Sequence, residues 1–316
     1  MSNSFWKSNP FVPSWANFIA QAWCKGPPKL LETLSIIRPV KIPRGCNLRV
    51  VSQGDLPAIV EFWGRYFSVQ RSCRCAVPLR HLQSMVLKGL WEVLIVVHEG
   101  TYDILGTIVR RKIKNLHIRE AKWAEAGVID YYCVHPAWRK KGIGKVLLDA
   151  IHNTAKMPMS PQLIFWEGLH PLYPPLSVGV FWVRKCSLGP SQGLRIIGEG
   201  QECLKAWKLL KRDIWTEEPG EEISFWKTSA GIVTVWNSFH RTIPDGFSIG
   251  VVLGGSAEAI NLLASTKSEW GVLLVPRLNP LGNDLGDSWT LDSPFQWIGY
   301  NLSIGFISSE FPCVGF

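Results

Sequence analysis

Residues 130–148, D-Y-Y-C-V-H-P-A-W-R-K-K-G-I-G-K-V-L-L, constrain this chain more than any other stretch. An aromatic and β-branched run breaks at His135-Pro136, passes Arg139, Lys140, Lys141, Gly142 and Gly144, and enters an apolar stripe. Ile143, Val146, Leu147, Ala150 and Ile151 fall at i, i+3, i+4, i+7 and i+8, the spacing of a helix with one buried face. A strand feeding a basic glycine turn and then a helix leaves unpaired backbone N–H groups at the helix start. The macrodipole and the adjacent cations add to them, and glycine lets a phosphate approach the backbone. A pyrophosphate fits such a turn. The spacing is neither a Walker A loop nor the G-x-G-x-x-G turn of dinucleotide sites. The plain alternative is a basic helix cap without a ligand.

The rest of the chain sets the scale. Its 316 residues, 47% hydrophobic and 19% charged, suit one large or two ordinary globular domains with a sizeable core. The longest apolar runs are far short of the roughly 20 residues that cross a bilayer, so no membrane span is expected. Eight cysteines are scattered without a C-x-x-C pair, which points to reduced thiols, a cytosolic compartment and no zinc site. The net charge of +9 favours an anionic partner, but no block of like charge appears, so an anionic cofactor is expected and nucleic acid is not. Sixteen Trp suit core packing first, and an apolar ligand channel second.

Periodicity predicts a strand at 46–52, helices at 56–67 with Asp55 as N-cap and at 78–90, then strands at 91–97, 104–111 and 128–134. The helix from 143 and a strand at 161–166 follow. This order describes a mixed-sheet α/β (α+β) domain ending near residue 200. Beyond it the pattern predicts a helix at 201–215, a strand at 224–236, a helix at 256–265, a strand at 271–275, a loop at 279–287 and one or two strands within 295–316.

The turn Arg139-Lys140-Lys141-Gly142-Ile143-Gly144, placed after a V-x-P-x-x-R-like strand end, resembles the acyl-CoA signature of the GNAT-type acyltransferase superfamily. Within it, residues 130–148 are similar to the asparagine-phenylalanine-leucine-cysteine-valine-histidine segment and basic loop of the glycylpeptide N-myristoyltransferases. Four further stretches match that family in the same order. Phe5-Trp6-Lys7-Ser8-Asn9-Pro10 resembles its F-W-x-T-Q-P segment, and Ile113-Lys114-Asn115-Leu116-His117-Ile118 its A-N-I-H-I strand. Phe181-Trp182-Val183-Arg184 resembles Y-W-H-R, and Phe295-Gln296-Trp297-Ile298-Gly299-Tyr300-Asn301 resembles L-Q-Y-Y-L-Y-N.

The resemblance implies a GNAT acyl-CoA N-acyltransferase fold in two GNAT-like halves, residues 1–200 binding acyl-CoA and 201–316 building the peptide groove. It implies transfer of a long acyl chain, myristoyl first, from acyl-CoA to the N-terminal glycine amine of peptides or proteins, by a monomer without metal. Phe5, Trp6, Cys133, Val134, Arg139, Lys140, Lys141, Gly142, Ile143 and Gly144 then bind acyl-CoA. The amides of Tyr131 and Tyr132 on a bulged strand hold the oxyanion, and the carboxylate of Phe316 is the base. Trp166, Asp292 and Tyr300 fall on substrate-binding positions, Asp292 being otherwise a plain loop aspartate.

There are departures. Trp166 replaces a threonine with a large ring that would shorten or reshape the acyl channel and leaves the chain-length preference open, and Val183 replaces the histidine of Y-W-H-R. Residues 68–74 reverse the sign of the family's acidic loop, so no preference for lysine-rich or arginine-rich peptides is expected, and neutral or acidic ones are tolerated. An acetyltransferase using acetyl-CoA on a small or protein amine, and a catalytically degenerate binding module, remain the alternatives. The other histidines, including His240, read as surface or packed residues, and Cys133 as core.

Overall fold

The structure is a computed structural model, and it describes residues 39–67, 73–118, 121–154, 160–167, 177–189, 194–196, 223–243, 245–266, 269–277 and 285–300. Phe5, Trp6 and Phe316, most of the 68–74 loop and the helix expected at 201–215 lie outside them.

The first half opens with β1 (Cys46–Val50), α1 (Leu56–Tyr66), β2 (Cys73–Cys75) and α2 (Leu79–Leu87). It continues with β3 (Trp91–His98), β4 (Ile104–Ile118), β5 (Ala121–Val134), α3 (Ile143–Thr154), β6 (Gln162–Glu167), β7 (Ser177–Lys185) and β8 (Leu194–Ile196). After these come β9 (Ile223–Thr228), β10 (Gly231–Thr242), β11 (Ser248–Gly254), α4 (Ala257–Ser265), β12 (Val272–Arg277) and β13 (Thr290–Tyr300). Among the described residues the strands form one sheet in the order β1-β3-β4-β5-β6-β13-β7-β12-β11-β10-β9-β8, with β2 added to β10.

The sheet repeats one plan twice. Two of its pairs are parallel, β5 with β6 and β11 with β12, and each is bridged by a helix, α3 or α4. Parallel neighbours need such a crossover. The strand that follows each parallel pair leaves its own half: β7 pairs antiparallel with β12, and β13 pairs antiparallel with β6. β7 and β13 then pair with each other and join the halves. This is the mixed α/β architecture and GNAT fold that the sequence implied.

Side-chain alternation sorts the core. On β3, Leu94 and Val96 face α3, whereas Val93, Ile95 and Val97 face α1 and α2. In the second half α4 buries Ala259, Ile260, Leu263 and Ala264 against Trp226, Trp270 and Trp289. Three of the buried tryptophans bond their indole N–H groups to side chains: Trp63 donates to Thr107 Oγ1 (2.9 Å), Trp226 to Ser224 Oγ (2.9 Å) and Trp270 to Asn237 Oδ1 (2.8 Å).

Several expectations are corrected. Asp55 stands at the N-cap of α1 but makes no side-chain cap bond. Its carboxylate takes two bonds from Arg49 (2.5 and 2.6 Å) and others from the Ser52 N–H and hydroxyl. Arg49 first, then Ser52, holds this carboxyl well below the usual range. The strand expected at 224–236 is a hairpin, because the chain reverses between Thr228 and Gly231, where Gly231 takes φ +133°. Strand β4 runs on to Ile118 through the 113–118 stretch that resembled the A-N-I-H-I strand, and β5 returns from Ala121, both beyond the apolar segments that periodicity marked. Asp292 lies in strand β13, at a register shift between Leu291 and Pro294, and not in a loop.

One buried charge sits where β5 and β6 meet. Arg110 has no exposed area, and its guanidinium donates to Gln162 Oε1 (3.0 Å), Glu92 Oε2 (3.1 Å) and Glu125 Oε1 (2.9 Å). Gly127 makes room for it, since a Cβ there would stand 2.0 Å from Gln162 Oε1 and 2.8 Å from Arg110 Nε.

Candidate functional site

The site begins where β5 and β6 part. The two strands pair at Gly127–Gln162, Val128–Leu163 and Ile129–Ile164, and β5 then runs on to Val134 without a β6 partner. An open strand edge offers backbone groups to an extended ligand, as in peptide augmentation of sheets. At this point β5 bulges: Thr107 pairs with Cys133 and Val109 with Asp130, so Tyr131 and Tyr132 together stand opposite the single Ile108 of β4. Tyr131 takes φ +47°, a left-handed conformation uncommon for a residue with Cβ.

The bulge is held on both sides. Thr107 Oγ1, itself bonded by Trp63, donates to the Tyr131 carbonyl (3.0 Å). The Tyr131 N–H donates to Asp130 Oδ1 (2.7 Å), and Asp130 Oδ2 pairs with Arg111 Nη2 (3.1 Å). The Tyr131 ring is buried, stacked on Trp63 at 4.3 Å and close to Phe67 at 5.3 Å. The two amides expected to act together therefore differ: that of Tyr131 already serves a carboxylate.

Beyond Val134 the turn is built by its own side chains. His135 Nδ1 accepts from the Ala137 N–H (3.2 Å), its Nε2 meets the Tyr66 hydroxyl at 3.1 Å, and residues Pro136–Trp138 form a short 3-10 turn. Arg139 Nε donates to the Val134 carbonyl (3.2 Å), and Lys141 Nζ lies 4.6 Å from the centroid of Trp138. Lys140 and Gly142 take φ +63° and +89°, after which Ile143 inserts into the core and opens α3. Arg139, Lys140, Lys141 and Gly142 are exposed. An open groove lined by Tyr66, His98, Asp103, His135 and Trp138 borders the turn.

Tyr132 points the other way from Tyr131. Its side chain is 41% exposed, yet its hydroxyl rests on the first turn of α3, so that a Cβ on Gly144 would come within 2.1 Å of it. Burial of that phenol pushes its pKa up to about 12. Val134 is half-buried, and Cys133 is buried with its thiol pushed up to about 12 by burial, against a weaker opposing effect of Arg139. Cys75 is likewise pushed up to about 12 by burial, so neither thiol supplies a thiolate at neutral pH.

Trp166 pairs along the backbone with Gln296, and Tyr300 with Gln162, which places both positions on the β6–β13 pair beside the parting strands. Sequence reasoning missed Thr107, Trp63 and Asp130 as supports of the bulge, and His240. His240 comes from β10 and pairs with Cys75 of β2, and the Ala76 N–H donates to the Phe239 carbonyl (2.6 Å). A strand of the second half is thus docked on the first. His240 is 5% exposed, its Nδ1 lies 3.0 Å from Ser238 Oγ, and its Nε2 is buried with no hydrogen-bond partner among the described residues. Burial pushes the imidazole down to about 4, while the charge of Asp130 pulls it back up more weakly.

That shift has a sign. The folded state keeps His240 neutral, whereas the unfolded chain takes up a proton below about pH 6.5. Stability is therefore lost as pH falls from about 6.5 to about 4, by about 3 kcal/mol for this group alone. Urea unfolding of the protein and of His240→Asn across that range is expected to show the slope only in the former. Parallel curves would contradict the burial of a neutral imidazole.

Among the described residues no cluster of His, Cys, Asp or Glu is arranged to hold a metal, and no helix is long and apolar enough to cross a membrane. Residues 58–165 match the model of the acetyltransferase (GNAT) family. None of the curated proteins matches the sequence. The chain is similar to solved structures of Saccharomyces cerevisiae N-myristoyltransferase. A structure with bound myristoyl-CoA has a TM-score of 0.67 at 12% identity over 96% of this chain and 93% of that one. A second with myristoyl-CoA has 0.67 at 11% over 96% and 88%. A third, with myristoyl-CoA and inhibitors, has 0.67 at 12% over 96% and 90%. At these identities the likeness is one of fold. The chain carries a GNAT-type acyltransferase domain within an architecture of two GNAT-like halves.

Proposed function

We propose that this protein is an acyl-CoA-dependent N-acyltransferase of the N-myristoyltransferase type, moving a long acyl chain to the N-terminal glycine amine of a peptide or protein. The observation that carries the reading is the parting of β5 from β6 after Ile129, with a bulge at Tyr131 and Tyr132 and a basic glycine turn at the start of α3 beside it. The open edge of β5 accepts the amide groups of a pantetheine arm, and the exposed Arg139, Lys140, Lys141 and Gly142 receive its phosphates. The amine nitrogen bonds to the thioester carbonyl carbon, the Tyr132 N–H holds the oxyanion, and the C–S bond breaks to release the CoA thiol. The surplus proton of the amine passes to a carboxylate, for which the terminal group of Phe316 is the candidate. The resemblance assigns Phe5 and Trp6 to the acyl-CoA and Trp166, Asp292 and Tyr300 to the substrate.

A second reading, an acetyltransferase acting with acetyl-CoA, is favoured by the family model that residues 58–165 match. Calorimetric titration with CoA, acetyl-CoA and myristoyl-CoA separates the two. A channel contributes on the order of 0.8 kcal/mol per buried CH₂, so myristoyl-CoA is expected to bind orders of magnitude more tightly than acetyl-CoA. Equal binding would favour the acetyltransferase, and no binding would leave a fold without the chemistry. Gly142→Asp, which strains a backbone at φ +89° and adds a negative charge to the anion turn, is expected to weaken all three ligands by tenfold or more. Unchanged affinities would remove the phosphate assignment.

A further inference from the structure

The register between β2 and β10 sets two like charges side by side. Cys75 stands opposite His240, Arg74 opposite Arg241 and Cys73 opposite Thr242. The Ala76 N–H donates to the Phe239 carbonyl (2.6 Å), which makes those two a hydrogen-bonded pair, and two residues along Arg74 and Arg241 form the next one. In such a pair the Cα atoms lie about 5.5 Å apart and both side chains leave the sheet on the same face. On its other side Arg241 pairs with Ser248 of β11, so Arg74, Arg241 and Ser248 stand in one row across three strands.

Like charges directly opposite each other on a sheet are destabilising. Elsewhere the fold sets its cations against acids: Arg49 with Asp55, Arg111 with Asp130, Lys112 with Glu92 and Lys145 with Asp149. Among the described residues neither Arg74 nor Arg241 has an ion pair or a side-chain hydrogen bond, and Asp245, the next acid after Arg241, pairs with neither. The sequence leading into β2, residues 68–72, adds Arg71 and no acid. Arg74 is exposed and Arg241 half-buried, so a ligand can reach both while water screens the second only in part. The turn that follows β10 adds two exposed apolar side chains, Ile243 and Phe247. The pair lies on the seam where the second half docks on the first, next to Cys75, which packs in one cluster with Tyr131 and Cys133 of the bulged strand.

We infer that Arg74 and Arg241 select the acyl acceptor by an acidic side chain, an aspartate or glutamate downstream of the amine. A carboxylate between the two guanidinium groups accepts charge-assisted bonds from both and removes their repulsion. A lysine or arginine at that position meets two like charges and is rejected. Two arginines beside exposed apolar side chains suit an acidic peptide better than a nucleic-acid strand, which calls for a groove of cations along its length. This deepens the proposed transferase reading and rests on it for the identity of the acceptor.

The test titrates the full chain with peptides of glycine followed by five serines, labelled with a fluorophore at the C-terminus, in which Glu or Lys is walked through the serine positions. Binding is followed by fluorescence anisotropy, which needs no acyl transfer. Glu at one position is expected to bind tenfold or more tightly than the serine peptide and Lys there more weakly, with the gap shrinking as salt is raised. Arg74→Glu sets a carboxylate against Arg241 and is expected to abolish the preference, and Arg74→Glu combined with Arg241→Glu to reverse it. Because the single replacement turns a like-charge pair into an ion pair, its urea midpoint is expected to rise. Equal binding of the Glu, Ser and Lys peptides at every position, a preference that survives the double replacement, or a lowered midpoint for Arg74→Glu would overturn the inference. Acyl-CoA titration is a separate readout: a chain that prefers the Glu peptide but binds no acyl-CoA would sink the transferase reading and leave the arginine pair as an acidic-peptide site.

Discussion

Replacing Arg110 by alanine is expected to lower the unfolding free energy by about 3–5 kcal/mol, because removing one partner from a buried ionic network strands the others. Glu92 and Glu125 retain 29% and 49% side-chain exposure and recover water, but Gln162 has none. Its Oε1 loses the guanidinium, and its amide keeps only the Ser160 bonds. Arg110 also braces the paired stretch of β5 and β6 at its Gly127–Gln162 end, before the strands part after Ile129. Denaturant unfolding followed by far-UV circular dichroism reads the loss. Gly127→Ala, which drives a Cβ into the same network, is expected to fall in the same direction. A change below about 1 kcal/mol for Arg110→Ala would mean that the buried charge is not paired as the structure has it.

The parts of the site legible in the sequence are those held together by neighbours along the chain. The turn at Arg139, Lys140, Lys141 and Gly142 and the stripe from Ile143 declare themselves within a dozen residues, because a helix start and its buried face are local features. The parting of β5 from β6 could not be read this way, as it depends on which of two strands separated by α3 stays paired after Ile129. Periodicity missed the outer reaches of β4 and β5, because Lys112, Lys114 and Glu125 resemble loop although they pair as a hairpin, and only the resemblance at 113–118 marked β4 there. Ser229, Ala230 and Gly231 gave no strong turn signal, so β9 and β10 merged into one predicted strand. His240 read as a packed histidine, and packed it is; only the docking of β10 on β2 explains how its Nε2 comes to be buried with no hydrogen-bond partner among the described residues. The exchange of β7 and β13 between halves has no signature in either strand's pattern, because a strand buried on both faces looks alike whichever neighbours it finds.

Thr107→Val is expected to damage both folding and turnover, and the two losses can be told apart. Thr107 is fully buried, with its hydroxyl between the Trp63 indole N–H at 2.9 Å and the Tyr131 carbonyl at 3.0 Å. Valine keeps the shape and removes the hydroxyl, leaving one donor and one acceptor unpaired in the core around Trp63 and Tyr131 at a cost of roughly 2–4 kcal/mol. The same hydroxyl anchors the carbonyl of the residue at φ +47° and so fixes where the neighbouring Tyr132 N–H points. A donor displaced from the position of a developing oxyanion loses on the order of tenfold to a hundredfold or more in kcat, because its contribution is made only in the transition state. Acyl-CoA affinity is expected to change little, since the anion turn at Gly142 shares no hydrogen bond with Thr107. Thr107→Ser retains the hydroxyl and is expected to restore most of kcat while still losing a methyl's worth of packing. If Thr107→Val loses stability but turns over normally per folded molecule, the hydroxyl serves packing alone and the oxyanion donor lies elsewhere. If kcat falls with acyl-CoA affinity intact and serine restores it, the bulge on β5 is the element that the fold holds in place for the reaction.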